Sequence, residues 1–223
     1  MSNKYLEVVY NLGDKPYTDY PKKLAKYLTD RYQINPGQKF LELGCGRGDF
    51  LNEFTDLGLD TYAIDNNEHY KENLKTKNFF NIDMTKSKLP FEDNSFDVVY
   101  SKSFIEHFYY PENIFKEVLR ILKPGGKFIN LTPDWEIIYK GFYEDYTHRT
   151  PFTKVSLSDI YLINGFINPS VEKFKQLPIL WKGNFITSFL SEATRLIVPD
   201  YFNKKYKWVR FSKEIMLLGF AQK

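Results

Sequence analysis

Apolar residues along this chain fall into short continuous runs, separated by longer stretches where they recur every three or four positions. Phe40–Leu43, Thr61–Ile64, Phe79–Ile82, Phe96–Tyr100 and Lys127–Leu131 are the runs, and each reads as a strand. The spacing between them predicts helices. Leu24, Tyr27 and Leu28 form a stripe opened by Pro21 and closed near Asn35-Pro36-Gly37. A second helix is predicted from about Asp49 to Leu57, ended by Gly58. A polar helix follows over roughly 67–76. A further helix, Glu112 to Leu122, turns Ile114, Phe115, Val118, Leu119 and Leu122 to the sheet, and Lys123-Pro124-Gly125-Gly126 breaks it. Strands alternating with helices predict an α/β fold with a parallel sheet and helices on both faces.

After Leu131 the pattern loosens. Residues 132–152 read as a polar, aromatic connection, Ser156 to Asn164 as a short helix closed by Gly165, and Val171 to Gln176 as a sixth strand. Glu214 to Ala221 reads as a last strand buried on both faces. The stretch 178–210 between them looks inserted. In it Phe185, Ile186, Phe189, Leu190, Ala193, Leu196 and Ile197 mark an amphipathic helix that Pro199 ends. Its stripe is expected to pack on the domain as a wall over the substrate. A homodimer face and an anionic membrane contact are the alternatives, the latter weakened because Arg195 is the helix's single base. The run Tyr201–Arg210 interleaves bases with aromatics, which RNA would also suit. Residues 1–20 are polar and tyrosine-rich, with a turn at Asp14-Lys15-Pro16-Tyr17, and no repeat is visible.

The 223 residues suffice for one substantial core. At 43% hydrophobic and 26% charged the chain is not generally disordered, and a net charge of +3 does not by itself imply nucleic acid. One cysteine excludes an internal disulfide and fits a reducing compartment. No run reaches the length of a transmembrane segment, and the first residues lack a signal-peptide apolar core. A soluble, cytoplasmic location is expected.

The first run leads into Leu41-Glu42-Leu43-Gly44-Cys45-Gly46-Arg47-Gly48-Asp49-Phe50, a strand entering a tight glycine turn. Asp65 ends the next strand. A strand, a glycine turn and a later carboxylate form a nucleoside grip. The glycines fall at alternate positions, and Asp49 stands where the dinucleotide fingerprint has its third glycine, so a cationic amino-acid-like ligand suits the loop better than a diphosphate.

Four signals in order carry a family resemblance: the LELGCGRG loop, Asp65 after strand two, Asp83-Met84 after strand three, and FDVVYSKSFIEHF followed by LRILKPGG. Together they resemble the class I S-adenosylmethionine-dependent methyltransferases, over at least residues 36–131. The resemblance implies a Rossmann-like three-layer sandwich whose seven-stranded, mostly parallel sheet has its last strand antiparallel. It also implies a single domain over 1–223, with an N-terminal helical cap (1–35), a cofactor-binding half (36–131) and a substrate-side half (132–223). S-adenosyl-L-methionine is the implied cofactor. Glu42, Gly44, Cys45, Gly46 and Gly48 would hold its methionine part. Asp65 would take the ribose, Asp83 and Met84 the adenine, and Asn66 and Ser101 would complete the set. Each also has a plainer reading: Glu42 or Asp83 as caps, Cys45 as a small buried filler.

A hydroxyl acceptor has to lose a proton, which a base can take. His107 follows strand four at the cofactor end of the sheet, and is read either as that base or as a helix-start residue bonded to cofactor or backbone. His148 lies in the loose connection, and a structural role there stands ahead of a base. His69 reads as a surface residue. The histidines make no ligand spacing with the single cysteine, so no metal is expected. Cys45 belongs to the glycine loop, which argues against methylation at pyrimidine carbon five. Ser101-Lys102-Ser103-Phe104 stands where amino-methylating DNA enzymes resemble one another in an Asp/Asn-Pro-Pro-aromatic run. The expected activity is therefore methyl transfer to a small molecule, at a hydroxyl oxygen, with nucleic acid disfavoured. The Glu106-His107 pair resembles quinone-type O-methyltransferases. The segments KPYTDYP and EDYTHR faintly resemble methyltransferases of surface-glycan biosynthesis, which suggests a sugar or glycan precursor. An RNA methyltransferase and a catalytically silent cofactor-binding subunit are the rivals.

Overall fold

In a computed structural model, which describes Val8 and residues 16–85 and 88–223, one seven-stranded sheet runs through the molecule. The helices are α1 (Tyr20–Arg31), α2 (Leu51–Asp56), α3 (Glu112–Ile121), α4 (Trp135–Ile138), α5 (Lys154–Ile163), α6 (Phe185–Ile197) and α7 (Lys207–Lys213). The strands are β1 (Lys39–Leu43), β2 (Asp60–Asp65), β3 (Phe79–Asn81), β4 (Phe96–Lys102), β5 (Leu122–Pro133), β6 (Ile167–Lys175) and β7 (Ile215–Gln222). Their order across the sheet is β3-β2-β1-β4-β5-β7-β6. All neighbours are parallel except β7, which is antiparallel to both β5 and β6, as expected for a last strand of opposite sense. Asp14 and Lys15 of the predicted turn, with the rest of residues 1–7 and 9–15 of the predicted N-terminal cap, lie outside the described residues, while α1 forms the described part of that cap.

The central strands read as largely apolar runs because both faces are covered. Phe40, Val98, Tyr100, Ile129 and Leu218 point to one layer, where they meet Leu24 and Leu28 of α1 and Phe54 of α2. Leu41, Leu43, Val99, Phe128 and Leu217 point to the other, against Ile114, Phe115 and Val118 of α3 and Leu157 and Tyr161 of α5. Gly219 lets this second layer close. A Cβ there would lie 2.9 Å from the Tyr161 hydroxyl, and that hydroxyl accepts a 2.8 Å hydrogen bond from buried Asn130.

Three expectations need correction. Residues 67–76 form no α-helix, only a 3-10 turn at Lys71–Asn73. The Asp65 carboxylate accepts from the Asn67 amide and the Asn67 side chain accepts from the His69 amide, each at 2.9 Å. These side-chain turns occupy the amides a helix would use, and the segment has no apolar face to favour a helix. Lys123-Pro124-Gly125-Gly126 lies within β5 rather than before it, as an irregularity in which Leu122 pairs Phe96 and Lys127 pairs Val98. The third correction concerns α6. It forms where predicted, capped by Asn184, whose side-chain oxygen accepts from the Ile186 amide at 2.9 Å. Its apolar stripe is not packed on the domain. Phe185 is 81% exposed and Ile197 78%, while Ser191 on the opposite side is completely buried.

Candidate functional site

The parallel strands deliver their carboxyl ends to one edge, and a cavity of about 340 Å³ opens there. Its walls come from the loop after β1, the turn after β2, the segment after β3 and the residues that follow β4. This is the expected place for a ligand in an open α/β sheet.

The glycine loop forms the floor. Gly44 and Gly46 have φ of +71° and +52°, backbone that favours glycine. A Cβ on Gly44 would strike the Phe104 ring, whereas a Cβ on Gly46 would enter open space, so the backbone at Gly46 is bare toward the cavity. Asp65 ties this loop to β2. One carboxylate oxygen accepts from the Gly46 amide at 2.9 Å and the other from Asn67. Each oxygen keeps a further lone pair for hydroxyl donors. Burial pushes the Asp65 carboxyl up from its ordinary range.

Glu42 is 3% exposed, on the cavity wall, and its Oε2 has no hydrogen-bond partner. Burial, then the negative charges of Asp49 and Asp65, hold its carboxyl well above the usual range. A buried acid in that state gains most from a cationic ligand. Asp49 pairs with Arg47 at 2.6 Å. Counting Asp83, four carboxylates face Arg47 and Lys102 around the cavity. The Lys102 ammonium lies 5.6 Å from the centre of the Phe50 ring. An orphaned buried carboxylate, a bare glycine backbone and a net acidic wall fit a nucleoside that carries an ammonium and a sulfonium.

Glu42, Gly44, Cys45, Gly46, Asp65, Asn66, Asp83 and Met84 all line the cavity. Asp83 also closes a turn, accepting from the Thr85 amide at 3.0 Å and from its hydroxyl at 2.6 Å. Cys45 is both lining and filler, packed with Leu51 and Ala63, and burial raises its thiol. Two positions are corrected. Ser101 is buried inside β4, paired with Leu43 and Asn130, and the lining residues are its neighbours Lys102 and Ser103. Gly48 faces Leu74 and Asn52 outside this cavity, so it shapes the turn and does not line the site.

Asn67 is a lining residue that the sequence reading missed. It is 4% exposed and its side-chain nitrogen has no partner. The Asp-Asn-Asn string after β2 was the available signal.

His107 sits on the cavity wall, in a 3-10 turn at Ile105–His107. His148 is not in the lining, but its ring centre lies 4.9 Å from that of His107. Hydrogen bonds hold both rings in place. The Thr147 hydroxyl donates to Asp145 at 2.5 Å, so its oxygen accepts from His107 Nδ1 at 2.9 Å. His148 Nδ1 donates to the Phe142 carbonyl at 2.6 Å. His148 therefore keeps its lone pair on Nε2, while the His107 ring also faces the Ser103 backbone. Burial, then the neighbouring His148, lowers His107 to about 4, so it is neutral near pH 7. Fully buried Glu106 stands beside the pair. Thr132 donates to its Oε2 at 3.0 Å, its Oε1 is unpartnered, and burial pushes it up to about 7. Glu106, His107 and His148 bring one ligand-type atom each within 4.8 Å of one another. Folding assembles this set from positions 41 residues apart, so no local metal-ligand spacing announced it.

Residues 41–130 match the family described as a methyltransferase domain. An S-adenosylmethionine-dependent methyltransferase from Archaeoglobus fulgidus has the same fold, with a TM-score of 0.68 at 20% identity over 97% of this chain and 99% of that one. The Haemonchus contortus phosphoethanolamine N-methyltransferase 2, solved with S-adenosylhomocysteine, is similar at a TM-score of 0.60 and 20% identity, over 91% of this chain and 52% of that one. Residues 41–130 are thus similar to a methyltransferase domain, on a fold shared with a solved S-adenosylmethionine-dependent methyltransferase. Over 112 residues it is 36% identical to the sterol 24-C-methyltransferase of Schizosaccharomyces pombe, a stretch that is 46% of this chain and 29% of that protein. The chain spans about a third of the length of the curated relatives it matches. Among the described residues, no helix is long and apolar enough to cross a membrane.

Proposed function

We propose that this chain methylates a hydroxyl oxygen of a small acceptor and that His107 takes the acceptor's proton. The carrying observation is the Asp145–Thr147–His107 hydrogen-bond chain. It holds a neutral imidazole on the cavity wall. S-adenosylmethionine supplies an electrophilic methyl group. Glu42, Asp65, Asn66, Asn67, Asp83 and Met84 would hold and orient it, and Phe104 and Phe108 would exclude water beside it. Asp145, reached through Thr147, favours the charge His107 acquires, against the opposing effect of burial and of His148.

Carbon methylation is the second reading, favoured by the names of the sterol relatives. Both readings use a proton acceptor, so product chemistry separates them. Acceptors are offered with methyl-labelled cofactor and the product is read by mass and by the carbon shift of the new methyl group. An oxygen-bound methyl supports the first reading and a carbon-bound methyl the second. His107→Ala should lower kcat by about 10²–10⁴-fold with S-adenosylhomocysteine affinity unchanged. Full turnover in that variant would remove His107 from the reaction.

A further inference from the structure

Helix α6 is mounted with its polar side inward. Ser191 is fully buried and donates to Ser212 of α7 at 3.0 Å, while Lys175 at the end of β6 donates to Ser191 at 3.0 Å and to Glu192 at 2.8 Å. Trp208 donates its indole N–H to Thr194 at 2.9 Å. These bonds fix the rotation of the helix about its axis. The opposite arc holds Phe185, Ile186, Phe189, Leu190, Leu196 and Ile197, every one more than half exposed. A water-facing helix does not ordinarily carry its apolar stripe outward and hydrogen-bond its polar stripe to the protein.

Charge says what covers the stripe. Residues 178–213 contain seven Lys and Arg against two acids, a net +5, while the whole chain is +3, so the remainder is net −2. Arg195 is engaged with Glu192. Exposed Lys182 stands just before α6, and exposed Lys205 and Lys207 follow it, so the bases flank the apolar arc rather than interrupt it. Tyr201, 84% exposed, lies in the turn between them. A second copy docking by this face would oppose two segments of like charge. An anionic lipid surface would receive the apolar arc at the depth of its acyl boundary and the lysines at its headgroups.

We propose that α6 with its flanking lysines is an interfacial docking element for anionic membranes. The element lies at the edge where the cavity opens. Strand β6 runs parallel to β5, so its carboxyl end, where this segment begins, shares that edge with the glycine loop. Tyr20 bridges the two, stacked on Phe211 of α7 and edge-on to Phe50 of the cavity wall. Docking does not rest on the acceptor being a hydroxyl or a carbon.

The test is co-sedimentation of the full chain with phosphatidylcholine vesicles, with and without phosphatidylglycerol, at low and high salt. Binding is expected only to the anionic vesicles and should fall with salt. The triple variant Phe185→Ser, Phe189→Ser, Ile197→Ser and the triple variant Lys182→Glu, Lys205→Glu, Lys207→Glu should each weaken binding at least ten-fold. Calorimetric titration with S-adenosylhomocysteine serves as the folding control and should be unchanged in both. No binding of the parent chain to anionic vesicles, or undiminished binding of both variants, overturns the proposal. So does a parent dimer that the serine variant converts to monomer without any vesicle binding. Failure of the methyltransferase reading would show instead as a parent chain that docks but ignores S-adenosylhomocysteine.

Discussion

Glu106→Gln isolates the electrostatic cost of the buried acid beside the histidine pair. The side chain is enclosed, receives one hydrogen bond from Thr132, and is pushed from an ordinary value of 4.5 to about 7. Because its folded-state value is raised, the folded protein holds a proton that the unfolded chain releases. Stability from this group is full below about pH 4.5 and is lost as pH rises toward 7. The shift of roughly 2.5 units corresponds to about 3 kcal/mol at 1.36 kcal/mol per unit. Glutamine keeps the shape and cannot ionise. His107 contributes the opposite slope: its folded value is lowered to about 4, so its stability is lost as pH falls from 6.5 toward 4. That slope is common to both proteins and cancels in their difference. Urea denaturation at steps from pH 4.5 to 8, with a chelator present to keep cations from the cluster, should show the variant gaining on the parent by about 3 kcal/mol across the window. A difference that stays flat with pH would show that Glu106 is not held protonated by its surroundings.

Asp65→Ala should weaken S-adenosylhomocysteine binding by about 1.5–3 kcal/mol in calorimetry, because the charged acceptor that also anchors the Gly46 amide is lost. Gly219→Ala should lower stability by about 1–3 kcal/mol in thermal denaturation, since its Cβ would press on the Tyr161 hydroxyl in a filled layer. Gly44→Ala should abolish detectable cofactor binding while the fold survives by circular dichroism, because the new methyl displaces the Phe104 ring on the cavity wall. His148→Ala should reduce turnover less than His107→Ala does, as its ring lies behind rather than on the cavity wall.

The strands were legible because two covered faces leave few polar positions to blur the runs, as Ile215 to Leu218 illustrates. The cofactor cradle was legible because its side chains hang from strand ends that glycine and aspartate punctuate. Ser101 shows the limit of that reading, for a shift of one residue along a strand moves a side chain from the cavity to the sheet interior. The polar stretch after Asp65 misled because residues that tolerate a helix also form side-chain turns, and only the tertiary setting chooses. Glu106 and His148 meet through tertiary folding alone. For α6, periodicity located the stripe, but which side the protein would cover depended on Ser191, Ser212 and Lys175, residues from three different elements.

Lys175 and Ile215 are direct partners in the β6–β7 ladder, so the ends of the segment joining these strands sit side by side. A short hairpin could join them and leave the β1–β5 ladder pairs in place, at the loss of Trp181 and Phe211, which pack on α1. Such a deletion would yield a trimmed catalyst module, and transplanting the excised piece onto a related scaffold would ask whether address and chemistry are separable parts of this polypeptide.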